Sequence, residues 1–168
     1  MSRGRFGDVR RFETIDSTNA YLLEAARAGA PEGVVAVADY QTAGRGRRGR
    51  RWAAPPGANL LVSVLLRPAL PAELRPIAAG VVALAARDAV QRTCGVELGV
   101  KWPNDLVTAE GGKVAGVLAE TDAGTGAGGG EAGGRGAGGR GAGGGAGGGL
   151  EPAVVVGIGL NCNWPGLG

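Results

Sequence analysis

The sequence predicts an α+β domain built on a mixed, largely antiparallel sheet with helices on one side. Apolar runs of strand length outnumber segments with helical periodicity, and the two kinds do not alternate strictly along the chain. One pair of strand candidates is separated by Glu110-Gly111-Gly112, a composition typical of a hairpin turn. Because hairpins join antiparallel strands, most of the sheet is expected to be antiparallel. The 168 residues are enough for one such domain.

The first elements are marked by a cluster of helix-capping residues. Residues 11–15 are predicted as a short strand, and the next helix begins within residues 16–19, Asp-Ser-Thr-Asn, and ends near Ala28. The cluster has two interpretations. Its polar side chains cap the helix, or they and the backbone N–H groups of the helix start bind the polar head of a ligand.

One further helix and six strands follow along the chain. The helix spans residues 71–92, with Gly95 ending it. Its predicted core face consists of Ile77, Val81, Leu84 and Ala85. The strands are predicted at residues 34–38, 59–66, 96–100, 105–108, 113–120 and 153–160. Residues 123–149 are almost entirely Gly and Ala, which predicts a flexible loop between the last two strands.

Residues 39–52, which we call the arginine loop, follow the strand at 34–38. The loop interleaves glycines with five arginines, Arg45, Arg47, Arg48, Arg50 and Arg51. Its glycine spacing matches the dinucleotide fingerprint G-x-G-x-x-G, which requires a helix directly after it and an acidic residue about 20 positions further on. No helix begins in the following Trp-Ala-Ala-Pro-Pro-Gly, and the next acidic residue is Glu73. A Rossmann site is therefore excluded. Two interpretations remain, a solvated basic loop and a clamp for an anion such as a nucleotide phosphate.

The composition excludes several classes of site. Histidine is absent, which removes Ser-His-Asp catalysis, Cys-His catalysis and His-ligated zinc. Two cysteines, Cys94 and Cys162, are too few for a disulfide framework or a Cys-only zinc site. The net charge of +3 is accounted for by the arginine loop, so broad binding to duplex nucleic acid is not expected. No signal peptide or apolar run of membrane-spanning length occurs, and we expect a cytoplasmic protein.

Polar residues at strand ends are the other chemical candidates. Lys101 ends an apolar strand beside a tryptophan and a proline, and it either pairs with a carboxylate or phosphate or stays in solvent. Asp105 and Asn161 carry the oxygen ligands that Mg²⁺ prefers, but each equally caps a turn. The glycines within residues 112–116 and 157–159 permit close backbone approach to a ligand or only relieve crowding.

Six segments together resemble biotin–protein ligases, the enzymes that attach biotin to the carrier domains of carboxylases. The segments come in the family's order and span nearly the whole chain, and the pair GRGRRG and KWPND is specific. They are TIDSTNAYL at 14–22, YQTAGRGRRGRRW at 40–52, GANLLVSVLLRP at 57–68, KWPNDL at 101–106, GKVAGVLAE at 112–120 and VVGIGLNCNW at 155–164.

The resemblance implies an ATP-dependent reaction in two steps on the catalytic fold shared by biotin and lipoate ligases, which is like that of class II aminoacyl-tRNA synthetases. The carboxylate of biotin attacks the α-phosphorus of MgATP, giving biotinyl-5′-AMP and pyrophosphate. A lysine of a biotin carboxyl carrier domain then takes the biotinyl group and releases AMP. The implied partners are biotin, ATP with Mg²⁺ and the carrier domain of a carboxylase, and neither DNA nor a membrane is expected.

The resemblance also implies roles for individual residues. Lys101 and Arg47 are the implied catalytic residues, whereas the metal ligands are left open, with Asp105 as one possible ligand for Mg²⁺. The residues expected to contact biotin are Ser17, Thr18, Asn19, Gln41, Arg45, Gly46, Arg47 and Lys101. The residues expected to contact the nucleotide are Arg45, Arg47, Arg48, Trp52, Asn104 and Asn161.

The chain also departs from the family pattern. Residues 1–168 are expected to form one catalytic domain without a winged helix, incomplete at its C-terminus, with a glycine-rich loop longer than the family's. One alternative is a lipoate–protein ligase, which uses the same adenylation chemistry but lacks the GRGRRG–KWPND pair. Another is a nucleic-acid-binding module built on the arginine loop, which an aromatic content of 4% disfavours because few rings are available to stack on bases.

Overall fold

The computed structural model of the chain describes residues 4–121 and 151–163. Within these ranges it contains β1 (Asp8–Ile15), α1 (Thr18–Arg27), β2 (Val34–Gln41), β3 (Asn59–Leu66), α2 (Ile77–Cys94), β4 (Gly99–Lys101), β5 (Asp105–Val107), β6 (Lys113–Thr121) and β7 (Val154–Asn161). Short 3₁₀ turns occur at Arg47–Gly49 and Ala72–Leu74. Each predicted strand and helix is present, and the start of α2 differs most from its predicted boundary.

The seven described strands form one mixed sheet in the order β1-β2-β3-β7-β6-β5-β4. The β1–β2 pair is parallel, and the other five pairs of the described strands are antiparallel. Strand β7 lies in the middle of the sheet, between β3 and β6. The predicted α+β class with a largely antiparallel sheet is therefore confirmed.

The two helices pack on opposite faces of the sheet, so the prediction that they lie on one side is wrong. Side chains alternate between the two faces along a strand. In β7, Val155 packs in one buried cluster with Leu22 of α1, whereas Val154 and Val156 pack in a second cluster with Ala83 of α2. Because β7 is apolar at successive positions, it offers an apolar surface to a helix on each side.

Helix α1 begins at the predicted capping cluster. The Ser17 hydroxyl accepts a hydrogen bond from the backbone N–H of Ala20 at 3.3 Å, which satisfies one of the free N–H groups at the helix start. Leu22, Leu23 and Ala26 are buried and pack on β2, β3 and β7. This apolar face holds the N-terminus of α1 against the sheet.

Helix α2 starts later than predicted because the residues before it form a different turn. The prediction placed its start at residue 71, but Ala72–Leu74 is a 3₁₀ turn and the helix begins at Ile77, after Pro76. Proline lacks a backbone N–H and restricts the residue before it, so it favours such a boundary. Gly95 ends the helix, as predicted, and its φ of 70° is the left-handed conformation that glycine adopts readily.

The predicted core face of α2 is wrong. The exposed fractions are 51% for Ile77, 60% for Val81 and 46% for Leu84, and Ala85 is also exposed. The buried face consists instead of the small residues Ala78, Gly80 and Ala83. A Cβ on Gly80 would lie 3.2 Å from the ring of Trp102. Because apolar residues occupy several faces of this helix, the hydrophobic periodicity does not indicate which face is buried. Close packing against the sheet favours the face with the small side chains.

One expectation concerns the connection between β6 and β7. Residues 123–149, expected from the sequence to be a flexible loop, lie outside the described residues. The strands on either side of them pair up to their facing ends, with Thr121 of β6 opposite Val154 of β7.

In the ranges that the structure describes, neither α-helix combines the length and the hydropathy needed to cross a bilayer.

Substitutions on the two faces of α2 should differ in their effect on stability. Val81→Ser should change the free energy of unfolding by less than about 0.5 kcal/mol, because that side chain is exposed. Ala83→Leu should lower it by about 1–3 kcal/mol, because extra methylene groups would enter a fully packed site. Urea unfolding measures both values. A larger loss for Val81→Ser than for Ala83→Leu would contradict the packing described above.

Replacing residues 123–149 by a short hairpin turn should preserve the fold and raise the free energy of unfolding. Because Thr121 and Val154 are already paired, a short turn can join the strands without moving them. The entropic cost of closing a loop falls by about 0.6 kcal/mol for each halving of its length. The test compares the urea midpoints of the two proteins. A lower midpoint for the shortened protein would mean that the segment contributes to stability.

Candidate functional site

A cavity of about 710 Å³ opens on the sheet face that carries α1. Its floor is formed by β6 and β7, and its walls by the N-terminus of α1, the arginine loop and the hairpin between β5 and β6. Helix α1 covers mainly β2 and β3 on this face, which leaves part of β6 and β7 open. The site therefore lies on the part of this face that α1 leaves uncovered.

A chain of polar side chains, which we call the polar chain, forms the inner end of the cavity. It consists of Asn19, Ser63, Thr18 and Gln41. The Ser63 hydroxyl donates to Asn19 Oδ1 at 2.6 Å, and the Thr18 and Ser63 hydroxyl oxygens lie 2.7 Å apart. Gln41 Oε1 accepts from the Thr18 backbone N–H at 2.7 Å. Thr18, Asn19 and Ser63 are buried, so a ligand that reaches this end meets hydrogen-bonding groups held in fixed positions.

Three glycines give the cavity a floor without side chains. A Cβ on Gly157 would lie 2.2 Å from Asn19 Oδ1, closer than real Cβ atoms approach. A Cβ on Gly159 would lie 2.5 Å from the ring of Trp52, and one on Gly116 would lie 3.0 Å from the same ring. The glycines therefore allow Asn19 and Trp52 to approach the sheet closely, which supports close approach over a general relief of crowding.

The arginine loop is a compact turn closed by its own backbone. The Trp52 N–H donates to the Gly44 carbonyl at 2.9 Å, and the Gly46 N–H donates to the Arg50 carbonyl at 2.7 Å. A Cβ on Gly44 would lie 2.5 Å from the Trp52 carbonyl oxygen, so this turn requires glycine there. These bonds fix the backbone of the turn, from which the exposed arginine side chains extend.

Four arginines of the loop line the cavity, namely Arg45, Arg47, Arg50 and Arg51. Arg47 Nη1 donates to Asn104 Oδ1 at 2.9 Å, and Arg51 Nη2 donates to the Thr42 carbonyl at 2.7 Å. Both acceptors are uncharged, so the positive charges of these two guanidinium groups are not neutralised by them. Fixed guanidinium groups bind phosphates and carboxylates, which favours an anion clamp over a merely solvated loop.

Two cations at the cavity are paired with carboxylates. Arg45 Nη1 lies 3.4 Å from Glu120 Oε1, and Lys113 Nζ lies 2.9 Å from Asp105 Oδ1. Lys113 Nζ also lies 5.5 Å from the centre of the Trp52 ring, a favourable cation–π distance. The Lys113 ammonium is thus held between a carboxylate and an aromatic face.

The hairpin between β5 and β6 forms the outer rim of the cavity. The Thr108 N–H donates to the Gly112 carbonyl at 2.9 Å, and the Gly112 N–H donates to the Thr108 hydroxyl at 3.2 Å. The pKa of the Glu110 carboxyl is lowered by its own backbone N–H and then by the Thr108 hydroxyl. Asn161 Nδ2 donates to the Lys113 carbonyl at 3.3 Å, which ties the rim to β7.

Most of the predicted site residues meet at this cavity. Those that line it are Ser17, Thr18, Asn19, Gln41, Arg45, Gly46, Arg47, Trp52, Asn104 and Asn161. Those that do not line it are Arg48, Lys101 and Asp105. Asp105 reaches the site through its bond to Lys113, and Lys101 is exposed at the end of β4. The roles assigned to these residues stay predictions.

The sequence reasoning missed Ser63 and Lys113, and both had a signal. Ser63 is a polar residue in an apolar strand, and the alternation of β3 places it on the same face as the buried Leu61 and Leu65. Lys113 follows the hairpin glycines, whose spacing already indicated close approach of the backbone.

The described residues do not fit a magnesium site held by the protein alone. Among them, no group of three or more Asp, Glu, Cys or His side chains lies together in a way that could hold a metal ion. Asp105 is bonded to Lys113 and accepts a hydrogen bond from Asn104 Nδ2 at 3.1 Å. Since Mg²⁺ needs six oxygen ligands and usually takes only one or two of them from carboxylates, these residues alone supply too few.

Fold and cavity together define the class of protein. A partly open mixed sheet, with a buried polar chain at one end of its cavity and arginines at the other, suits a small ligand with a polar head and an anionic tail. The chain belongs to the Biotin/lipoate A/B protein ligase family, whose model matches residues 11–131.

Curated relatives confirm the resemblance to biotin ligases. The chain is 48% identical over 112 residues to a biotin--[acetyl-CoA-carboxylase] ligase of Mycobacterium tuberculosis, an alignment that covers 62% of this chain and 41% of the relative. A ligase of the same name from Paracoccus denitrificans is 44% identical over 115 residues, covering 67% and 46%. The bifunctional ligase/repressor BirA of Escherichia coli is 41% identical over 125 residues, covering 71% and 37%. The chain thus spans less than half the length of each of these relatives.

Solved structures with the same fold include two biotin protein ligases with bound ligands. The enzyme from Aquifex aeolicus in complex with biotin and ATP has a TM-score of 0.65 and 28% identity, covering 97% of this chain and 56% of that chain. The enzyme from Leishmania major in complex with biotinyl-5-AMP has a TM-score of 0.65 and 25% identity, covering 91% and 56%.

Gly157→Ala should lower the free energy of unfolding by about 1–3 kcal/mol, because the added methyl group overlaps Asn19. Gly99→Ala is the matched control, since its Cβ would lie at an ordinary 3.5 Å from the side chain of Val107. The control should be neutral or slightly stabilising, because alanine restricts the unfolded chain. Urea midpoints measure both variants. Equal midpoints for the two would mean that Asn19 does not approach the sheet as closely as described.

Proposed function

We propose that this chain carries the catalytic centre of a biotin–protein ligase. The enzyme would activate biotin with ATP as biotinyl-5′-AMP and transfer the biotinyl group to a lysine of a biotin carboxyl carrier domain. The observation that carries the proposal is that the polar chain, the arginine loop and Lys113 line one cavity. Support comes from relatives named as biotin ligases and from similar enzymes solved with biotin, ATP or biotinyl-5-AMP.

The polar chain suits the ureido head of biotin. That head carries two N–H donors and one carbonyl acceptor, and the buried groups of Thr18, Asn19 and Ser63 include both donors and acceptors. A buried polar group left without a partner costs about 1–3 kcal/mol, so a purely apolar ring would bind poorly at this end. Biotin would therefore enter with its head at the polar chain and its carboxylate toward the cations.

The cationic end suits the activation step. An oxygen of the biotin carboxylate forms a bond to the α-phosphorus of ATP, the bond from that phosphorus to the oxygen bridging to the β-phosphate breaks, and pyrophosphate leaves. Negative charge spreads over the phosphoryl oxygens in the transition state, where fixed cations stabilise it most. Arg47 and Lys113 line the cavity and are held by Asn104 and Asp105, so we assign them this role. No side-chain nucleophile is needed, in keeping with a chain that has no histidine.

The nucleotide and the carrier complete the reaction. Trp52, Asn104 and Asn161 offer an aromatic ring and amide groups at the cavity, and we propose them as nucleotide contacts. Mg²⁺ would be bound by the phosphates of ATP. In the second step the amine of the carrier lysine attacks the carbonyl carbon of biotinyl-5′-AMP, the bond to the phosphate oxygen breaks, and AMP leaves as the amine loses a proton.

Biotin-dependent exchange of labelled pyrophosphate into ATP tests the first step without a carrier. We expect exchange with biotin and none when lipoate replaces it. Exchange with lipoate but not with biotin would reassign the chain to the lipoate ligases of the same family. Exchange with neither compound would contradict the proposed activity of this chain.

Paired lysine variants test which lysine acts at the reacting centre. Lys113→Met should lower the exchange rate by about 10²–10³, the usual effect of removing one fixed group that stabilises the transition state. Lys101→Met should lower it by less than about tenfold, since an exposed charge outside the cavity contributes at most about 1 kcal/mol. Urea midpoints of both variants exclude a loss through unfolding. The reverse order of rates would restore Lys101 to the catalytic role implied by the resemblance.

A further inference from the structure

The family resemblance implies no role for Glu120, yet this residue contacts two parts of the site. It stands near the end of β6, and its side chain is 25% exposed. Its Oε2 accepts a hydrogen bond from Asn19 Nδ2 at 2.8 Å, and its Oε1 accepts one from Arg45 Nη1 at 3.4 Å. One carboxylate therefore joins the polar chain to the arginine loop.

The carboxylate determines which end of the Asn19 amide faces it. An ionised carboxylate can only accept hydrogen bonds, so Asn19 must present Nδ2 to Glu120. Asn19 Oδ1 is then left to accept from the Ser63 hydroxyl. The Leu118 carbonyl, 3.4 Å from the same Nδ2, favours the same orientation, but the bond to Glu120 is shorter and charge-assisted.

The orientation of Asn19 sets the direction of hydrogen bonding along the polar chain. Because the single hydroxyl hydrogen of Ser63 is directed to Asn19, the hydrogen in the 2.7 Å contact between the two hydroxyls must come from Thr18. The Thr18 hydroxyl lies farther, 3.1 Å, from its other acceptor, Gln41 Oε1. Gln41 Oε1 accepts from the Thr18 N–H, and Gln41 Nε2 has no acceptor among the described residues. Gln41 Nε2 is therefore a donor available to a ligand. Glu120 therefore helps to set the orientation of Asn19 and, through it, the direction of the Ser63 and Thr18 hydroxyls, whereas the Thr18 backbone N–H orients Gln41.

We propose that Glu120 is a positioning residue of the biotin site. It holds the Asn19 amide in one orientation, and through it the donors and acceptors of the polar chain. It also supports Arg45 from outside the cavity, because Arg45 lines both the cavity and a more open depression behind the arginine loop, and Glu120 lines the depression. This inference rests on the proposed function, since the ligand whose affinity Glu120 controls is biotin.

Glu120→Gln tests the effect of the charge at almost unchanged size. The glutamine amide can donate as well as accept, so it no longer restricts the orientation of Asn19, and it no longer attracts Arg45. We expect biotin to bind the 168-residue chain about tenfold more weakly in isothermal titration, the usual effect of losing one hydrogen bond to a charged group. In the exchange assay the KM for biotin should rise similarly, with kcat changed by less than about twofold because the group does not touch the reacting atoms.

Glu13→Gln is the matched control for the loss of one negative charge. Glu13 is exposed on β1 and lines neither the cavity nor the depression behind the loop. The affinity of the Glu13→Gln variant for biotin should equal that of the unmodified chain. Urea midpoints of both variants establish that each is folded under the conditions of the titration.

Exchanging the roles of the two partners gives a rescue test. Asn19→Asp alone places a second carboxylate against Glu120, so we expect binding to weaken by more than for Glu120→Gln. In the double variant Asn19→Asp/Glu120→Gln, the new carboxylate accepts both from the glutamine amide and from the Ser63 hydroxyl. We expect the double variant to bind biotin at least about tenfold more tightly than Asn19→Asp alone, since one charge-assisted hydrogen bond is restored.

Two results would overturn the inference while leaving the proposed function in place. One is unchanged biotin affinity in Glu120→Gln, and the other is a double variant that binds no better than Asn19→Asp. An unmodified chain that binds no biotin would instead contradict the proposed function, and the role of Glu120 would fall with it. The double variant is compared with Asn19→Asp, so the rescue test holds even where Glu120→Gln alone is less stable.

Discussion

Strand β7 packs between the two helices along its first half, and this packing is the constraint on which the site depends. Val154, Val155 and Val156 are fully or almost fully buried, with alternate side chains directed to α2 and α1. A slip of one residue would exchange the two sets of side chains between the two faces. Burial of these apolar side chains therefore fixes the register of β7 against β3 and β6.

The same register positions the floor of the cavity in the second half of the strand. It places Gly157 opposite Ser63 and Gly159 opposite Gly116. Those pairs lie on the face that α1 leaves open, so the glycines meet the polar chain and Trp52 there and not the core. One strand thus stabilises the domain at one end and forms the site at the other, and hydrophobic burial in the first half positions the groups in the second.

The charges of the site are arranged to remain in contact with water while being fixed in place. Backbone hydrogen bonds shape the arginine loop, so its guanidinium groups do not need to be buried to be positioned. This avoids the large cost of removing charges from water. The two carboxylates at the site, Asp105 and Glu120, each hold one cation, Lys113 and Arg45, whereas Arg47 and Arg51 bond only neutral oxygens among the described residues. The neutral polar chain and the guanidinium groups of the loop are therefore distinct parts of the site, and Glu120 contacts both.

Local patterns in the sequence determined the α+β class, the two helices, the seven strands and many of the residues that line the cavity. Strand-length apolar runs, the capping residues before α1 and the hairpin glycines act over a few residues, so they can be read without the fold. The sequence motifs that resemble the family identified the site residues in the arginine loop and at the start of α1. These features depend on short-range chemistry, which the chain shows directly.

Three features depended on the tertiary structure alone. The first is the packing of α2, both the face of the sheet that it covers and the side of the helix that is buried. Because α2 is apolar on several sides, close approach of small residues such as Ala83 to the sheet decided which side is buried. Lys113 rather than Lys101 lines the cavity, because the β5–β6 hairpin directs it there. The link from Glu120 to Asn19 joins residues 101 positions apart in the chain, and only the pairing of distant strands brings them within hydrogen-bonding distance.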